Sequence, residues 1–221
     1  MKKLSLAAGV LMVFVLFAGC SDNNPAGNDS NLGLVIASII SFQENDGEGG
    51  GTYQVVLLEN LEPALGADVS VTGPTGTYQL VDSMETGHYN YLFGVTVTPS
   101  AYYQFDEEYT VNVSYKGDSF SHKAKAPGNI TVTADGSSAQ WVYEGDSDQI
   151  NITGPFSGEV QAGPDINSPF DINATNVYDN GPGTYLISVL VQKQILGAFS
   201  GSSIGSSFII FHQKIVPVEK E

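Results

Sequence analysis

Gly201-Ser202-Ser203-Ile204-Gly205 spells the G-x-S-x-G string in which a serine can serve as a nucleophile. That chemistry needs the serine on a sharp strand-to-helix turn, with an acid and then a histidine further along the chain. Here the string runs into Ser206-Ser207-Phe208-Ile209-Ile210-Phe211, whose composition predicts a strand, and the one later histidine, His212, lies in or beside that same strand. A Gly/Ser loop between the last two strands of a β-protein accounts for the string. The three histidines, His88, His122 and His212, share no His-x-x-x-His or Cys-paired spacing, so zinc is not indicated. Each stands in or beside a strand, where a surface or rim position is expected.

Two acidic loops, Glu44-Asn45-Asp46-Gly47-Glu48 and Glu144-Gly145-Asp146-Ser147-Asp148, make Asp46, Glu48, Asp146 and Asp148 the calcium candidates. Calcium asks for about six to eight oxygens, and neither loop carries the Asp-x-Asp-x-Asp-Gly run that supplies them in one segment. Ligands would have to converge from separate loops; otherwise these are solvated turns. Tyr102, Tyr103 and Phe105 stand beside Asp106, Glu107 and Glu108. Aromatic faces stacking on sugar rings while carboxylates take the hydroxyls would make a glycan platform, and rings plugging the rim of a sandwich would use the same residues. No nucleophile-and-base set, catalytic carboxylate pair or phosphate loop is identifiable, so no catalytic residue and no cofactor is expected.

The chain's one cysteine, Cys20, has a different setting. Met1, Lys2 and Lys3 make a positive start, and Leu4 to Ala18 is apolar or small except for Ser5. That is the architecture of an export signal, and the run is shorter than the roughly 20 apolar residues a spanning helix needs. Phe17-Ala18-Gly19-Cys20 resembles the lipobox of bacterial lipoproteins, departing from it only at Phe17, where leucine is usual. The resemblance implies that residues 1–19 are removed and that Cys20 becomes the acylated first residue. It also implies that Ser21, in place of Asp, favours the outer membrane, with the periplasmic face and the cell surface both open. The stretch Ser21 to Asn31, SDNNPAGNDSN, has too little apolar surface to order itself, so 20–32 reads as a flexible tether. Eleven such residues have an r.m.s. span of about 18 Å.

Twenty-four acids stand against eight lysines and no arginine, for a net charge of −16. An acidic field without the bidentate grip of arginine argues against nucleic acid as a partner, and anionic lipid would repel the body too. The membrane is therefore expected to be met through the lipid anchor only. An apolar content of 42% is enough for a sizeable core.

The elements that must position these residues alternate with period two. Tyr109, Val111, Val113 and Tyr115 form one face of such a run; Val69 and Val71, Ile130 and Val132, Ile150 and Ile152, and Tyr185, Ile187, Val189 and Val191 repeat the pattern. Turn signals recur about every 8 to 12 residues, as in a β-sandwich. The expected class is therefore all-β. Strand counts of roughly six to seven on each side of Ala126-Pro127-Gly128 favour two tandem antiparallel sandwiches, 33–126 and 127–221, each near the ~100 residues of one module.

Ala126-Pro127-Gly128-Asn129-Ile130-Thr131-Val132, Ser137 to Trp141 and Gly183-Thr184-Tyr185-Leu186-Ile187 resemble the first, second and tyrosine-bearing strands of fibronectin type III, an Ig-like sandwich, which implies core places for Trp141 and Tyr185. Gly66 to Val71, Gly87-His88-Tyr89 and Glu108 to Gly117 are similar in outline to the amino-terminal sandwich of Bacteroidota envelope lipoproteins, which implies a setting and no particular activity. The reading is a lipid-anchored envelope protein serving as a non-catalytic binding, adhesion or accessory module for an envelope protein or a glycan. Its rivals are a glycan-binding lipoprotein using 102–108 and an envelope hydrolase.

Overall fold

Alternation decides which residues go inside, and the strands expected from it are all present. The computed structural model describes residues 33–45, 48–93, 102–135, 138–143, 145, 147–153, 161–163, 170–173, 182–199 and 206–220. Their strands are β1 (Leu34–Asn45), β2 (Glu48–Glu59), β3 (Glu62–Pro63), β4 (Asp68–Gly73), β5 (Gly76–Leu80), β6 (His88–Phe93), β7 (Glu108–Tyr115) and β8 (Asp118–Lys125). They continue as β9 (Ile130–Asp135), β10 (Ser138–Tyr143), β11 (Gln149–Thr153), β12 (Gln161–Gly163), β13 (Phe170–Asn173), β14 (Gly183–Leu196) and β15 (Ser207–Lys220). The described residues are all-β. No helix among them is long and apolar enough to cross a membrane.

Three sheets form. An eight-stranded sheet runs β12-β11-β14-β15-β1-β2-β3, with β6 also paired to β2; β5-β4-β7-β8 makes a second sheet and β13-β10-β9 a third. Side chains of β1 at even positions, Ile36, Ser38, Ile40 and Phe42, are buried, as strand alternation requires. Register carries that face outward in both directions. Ile40 lies opposite Tyr53 on β2 and Ile210 on β15, and Phe42 lies opposite His212. His212 in turn pairs with Val191, next in the buried series Ile187, Val189, Val191. The four-stranded sheet closes over this face with Val69, Val71, Tyr109, Val111 and Val113 in one core with Ile36, Tyr53, Phe208 and Ile210.

The β7–β8 turn shows why local sequence reads well here. Lys116 and Gly117 have φ of 51° and 90°, the two left-handed residues of the tightest hairpin connection, whose twist suits the flanking strands. The turn then sets the register, with Tyr115 opposite Asp118 and Tyr109 opposite Ala124.

Hydrogen bonding crosses the division expected at 126/127. Strands β1 and β15, from opposite halves of the chain, pair in parallel from Ala37↔Ser207 to Asn45↔Ile215. Ala126, Pro127 and Gly128 are buried and not strung out as a linker. Ala126 N–H donates to the Glu107 carbonyl at 2.8 Å, Asp106 N–H donates to the Pro127 carbonyl at 3.3 Å, and Gly128 N–H donates to the Tyr143 hydroxyl at 3.3 Å. Residues Leu32–Glu221 pack as one compact unit. Trp141 stands in β10 between Val132 and Phe170, and Tyr185 lies half-buried near the start of β14.

Candidate functional site

The segment before β7 carries the aromatic and acidic residues singled out above, and its backbone is pinned by tyrosine hydroxyls. Tyr109 accepts from the Gln104 N–H at 2.7 Å, and the Tyr53 hydroxyl donates to the Tyr102 carbonyl. Asp106 adopts a left-handed φ of 60°, which turns the chain into β7. With the backbone so held, the adjacent Tyr102 and Tyr103 are sent to different neighbourhoods.

Tyr103 goes inward and is 1% exposed. Its ring stacks on Phe42 at 5.2 Å and 17°, and on Tyr109 at 5.7 Å and 23°. Both faces are thus taken by protein rings, which corrects the expectation that Tyr103 offers a surface to a sugar. Phe105, half-buried, packs 4.7 Å from the His212 ring and edge-on to Phe42 at 6.2 Å. Tyr102 turns the other way and joins two half-buried tyrosines that composition alone did not nominate. Ring centroids are 5.4 Å apart for Tyr78–Tyr102, 6.2 Å for Tyr91–Tyr102 and 5.1 Å for Tyr78–Tyr91, all tilted. Tyr53 lies beneath, 5.4 Å from Tyr78 and 6.1 Å from Tyr91.

Two of the three acids beside these rings are occupied. Asp106 pairs with Lys125 at 3.4 Å and Glu108 with Lys123 at 3.0 Å, both solvated pairs worth little stability but enough to answer the carboxylates. Burial raises the Tyr91 hydroxyl above its ordinary range, with Tyr102 adding to it, and burial pushes Tyr109 up to about 12. Tyr91 therefore keeps a neutral hydroxyl at physiological pH.

Of the calcium candidates, Asp46 and Asp146 lie outside the described residues, as do Cys20 and the Gly201–Gly205 string. Glu48 opens β2 opposite Asn45. Asp148 is used internally: its carboxylate accepts from the Gln194 N–H at 2.6 Å. Among the described residues no three metal-ligating side chains cluster.

No family model matches the chain, and no curated protein matches it.

The histidines divide. His88 is exposed, as expected, and His122 is half-buried against Phe199 and Phe208, each at 5.9 Å. His212 is fully buried, which corrects its expected rim position: it shares the inward parity of Phe208 and Ile210 on β15. Its Nε2 stands 3.8 Å from Glu44 Oε2, and Lys214 Nζ reaches Glu44 Oε1 at 3.2 Å. At 3.8 Å the His–Glu contact is longer than a hydrogen bond, and His212 is closed to solvent, so this acid and histidine form no open acid–base pair. The imidazole is the largest influence holding the Glu44 carboxyl below its usual range, ahead of the burial that opposes it and of Lys214, which assists.

Burial holds the His212 pKa below its ordinary value against the pull of Glu44. The folded protein therefore binds this proton less readily than the unfolded chain. The His212 contribution to stability is complete above the unfolded value near 6.5 and falls as pH drops below it, by up to about 1.4 kcal/mol per pH unit. Urea unfolding at pH 7.5, 6.5 and 5.5 is expected to show that loss between the last two values in the parent. His212→Leu is expected to flatten it and, because the imidazole is the largest influence lowering Glu44, to shrink the Glu44 contribution at lower pH as well. An unchanged pH profile in the variant would assign the acid sensitivity to other groups.

Proposed function

We propose that the chain is a lipid-anchored envelope protein, held at the outer membrane through Cys20, whose β body is a non-catalytic binding, adhesion or accessory module. One observation carries the reading: the sole cysteine follows Phe17-Ala18-Gly19 at the end of a charged, then apolar, export-type segment. Two acyl chains hold a protein far more firmly than one, at about 0.8 kcal/mol per buried methylene. The test is metabolic labelling with palmitate, mass spectrometry of the mature amino terminus and fractionation. The parent is expected to begin at acylated Cys20 and to float with membranes, whereas Cys20→Ser takes no label and leaves the membrane fraction. Membrane association unchanged in Cys20→Ser refutes the proposal.

For the body, we read the four-stranded sheet over β1 and β2, and the three-stranded sheet whose β9 neighbours β15, as two sandwich-like units fused through the long sheet. The Ig-like and fibronectin-like likeness of strand rhythm belongs to this reading.

A glycan ligand is the second reading, and the Tyr78, Tyr91 and Tyr102 trio favours it: three half-buried rings with hydroxyl edges suit the apolar face and hydroxyls of a sugar. On a carbohydrate array the parent is expected to retain a defined glycan, and Tyr91→Ala and Tyr102→Ala to weaken it about tenfold each, near 1.4 kcal/mol. Equal binding by parent and variants removes the trio from consideration.

A further inference from the structure

Five of the large apolar side chains exposed among the described residues, Leu61, Leu65, Val81, Met84 and Leu196, gather at one end of the long sheet; Leu92 and Leu186 lie elsewhere. This is the end at which the chain enters the fold. Gly33 N–H donates to the Asn60 side-chain oxygen at 3.2 Å, and Asn60 N–H returns a bond to the Gly33 carbonyl at 3.1 Å. Asn60 and Leu61 form the turn between β2 and β3 with φ of 54° and 68°. A leucine in that left-handed position, 65% exposed, is held where glycine or asparagine would sit without strain.

The neighbouring loops bring the rest. Ala64 N–H donates to the Leu57 carbonyl at 3.0 Å, placing Leu65 beside the same turn, and Leu57 N–H donates to the Gly87 carbonyl at 2.8 Å. Gly87, at φ +73°, sits so close that a Cβ would lie 2.5 Å from the Leu57 carbonyl, so the 81–87 loop is pressed onto this end. Asp82 accepts from the Thr86 and Gly87 N–H groups at 3.1 and 2.7 Å, closing the loop with Met84 81% exposed at its tip. Leu65, Val81, Leu80 and Tyr89 line a shallow cleft of about 410 Å3 between the two segments. Leu196 ends β14 opposite Ser207, where Gly197 N–H donates to the Ser206 carbonyl at 2.7 Å and the Ser206 hydroxyl accepts from Ile36 N–H at 3.2 Å.

From this geometry we propose, in place of the anchor-only contact expected from charge, that the chain-entry end of the fold is a membrane-contacting surface, with these apolar side chains seated at the boundary between headgroups and acyl chains of a zwitterionic phospholipid. The inference rests on the reading of Cys20 as acylated. Exposed apolar patches need an occupant, and this one lies where residues 20–32 join the body at Gly33, so the chain leading from Cys20 enters here. A contact too small to hold a free protein becomes occupied when a short tether supplies a high local concentration of bilayer. Charge selects the lipid. Lys116 answers Glu59 at 2.6 Å and Asp82 is spent on its own loop, but Glu62 and Glu85 add acid at this end, which disfavours anionic headgroups.

The test uses the acylated full chain reconstituted in phosphatidylcholine–phosphatidylethanolamine vesicles, with Met84→Cys, Leu196→Cys and, away from this end, Leu186→Cys, each carrying an environment-sensitive thiol dye. Dye at positions 84 and 196 is expected to shift to the blue and to be quenched by headgroup-proximal spin-labelled lipid, and dye at 186 to do neither. The parental chain is the control for the anchor, because an acylated Cys20 has no thiol to label. Dye uptake by the parent overturns the anchor reading and this inference with it. An unlabelled parent with the same response at 84 and 186 overturns the inference alone. A blue shift at 84 and 196 without lipid quenching assigns the surface to a second copy of the chain and likewise overturns it.

Discussion

Residues 127–221 expressed alone are expected to be unfolded or aggregated, while 33–221 unfolds in a single urea transition. Two self-sufficient sandwiches would each survive separation. What the cut removes here is one of the two partners of β15: the parallel ladder to β1 from Ala37↔Ser207 to Asn45↔Ile215 lies wholly across it, while β14 remains. The same cut strips cover from Phe208 and Ile210, both fully buried in a core built largely by β1, β2, β4 and β7. Exposing two such side chains costs about 3–6 kcal/mol, against a total stability of about 5–15 kcal/mol for a domain. The bare edge of β15 would also be a template for aggregation.

Circular dichroism and urea titration of the fragment check this, and a nicked protein supplies the complementary measurement. A protease site inserted after Gly128 in 33–221 is expected, once cut, to leave two pieces that co-elute at native molecular size and part only in denaturant, because the hydrogen bonds between β1 and β15 do not depend on continuity at residue 128. A fragment 127–221 with its own sharp transition would establish the halves as independent modules and would leave the shared sheet a packing contact between them.

The strands themselves were readable because period-two alternation is local: Tyr109, Val111 and Val113, and Ile187, Val189 and Val191, lie on buried faces as their spacing demands. Which strand meets which is set by packing across the whole chain, and nothing near Ile40 announces that Ile210 will lie beside it. The same distinction explains the site. His212 follows Phe208 and Ile210 with the parity of a buried face, so its burial was available from spacing. Its neighbour Glu44, on a strand at the other end of the chain, was not. Lys123 and Lys125 could be counted back from the Lys116-Gly117 turn to the level of Glu108, and they show why carboxylates beside aromatic rings are not automatically free for a ligand. Tyr78 and Tyr91 meet Tyr102 only because a loop crosses the rim where two sheets face each other. Cys20 belongs to the part read from composition and motif alone.

Tyr103→Ala is expected to destabilise the protein by about 3–5 kcal/mol, the cost of emptying a buried aromatic site. The ring is sandwiched between Phe42 and Tyr109 and lies 6.4 Å from His212, so its removal opens a void walled by other rings whose own backbones are fixed in β1, β7 and β15. Gly49 is what makes room for this packing: a Cβ there would collide with the Phe42 ring, so the ring sits directly over the β2 backbone. Tyr103→Phe is expected to hold stability within about 1 kcal/mol or to raise it. The hydroxyl is buried with no hydrogen-bond partner among the described residues, so deleting it relieves a desolvation cost and breaks no bond among them. Burial, which is also what drives the Tyr103 pKa well above its ordinary value, thus makes opposite demands on ring and hydroxyl. Near-UV circular dichroism during urea unfolding reads both variants, and at about 2–4 °C per kcal/mol the alanine variant is expected to melt roughly 10 °C lower. If Tyr103→Phe were as damaging as Tyr103→Ala, the hydroxyl would be a structural hydrogen-bonding group and the aromatic core would have to be redrawn around it. If neither change mattered, Tyr103 would lie at the surface, and Tyr102, Tyr103 and Phe105 would return as a single exposed ligand platform.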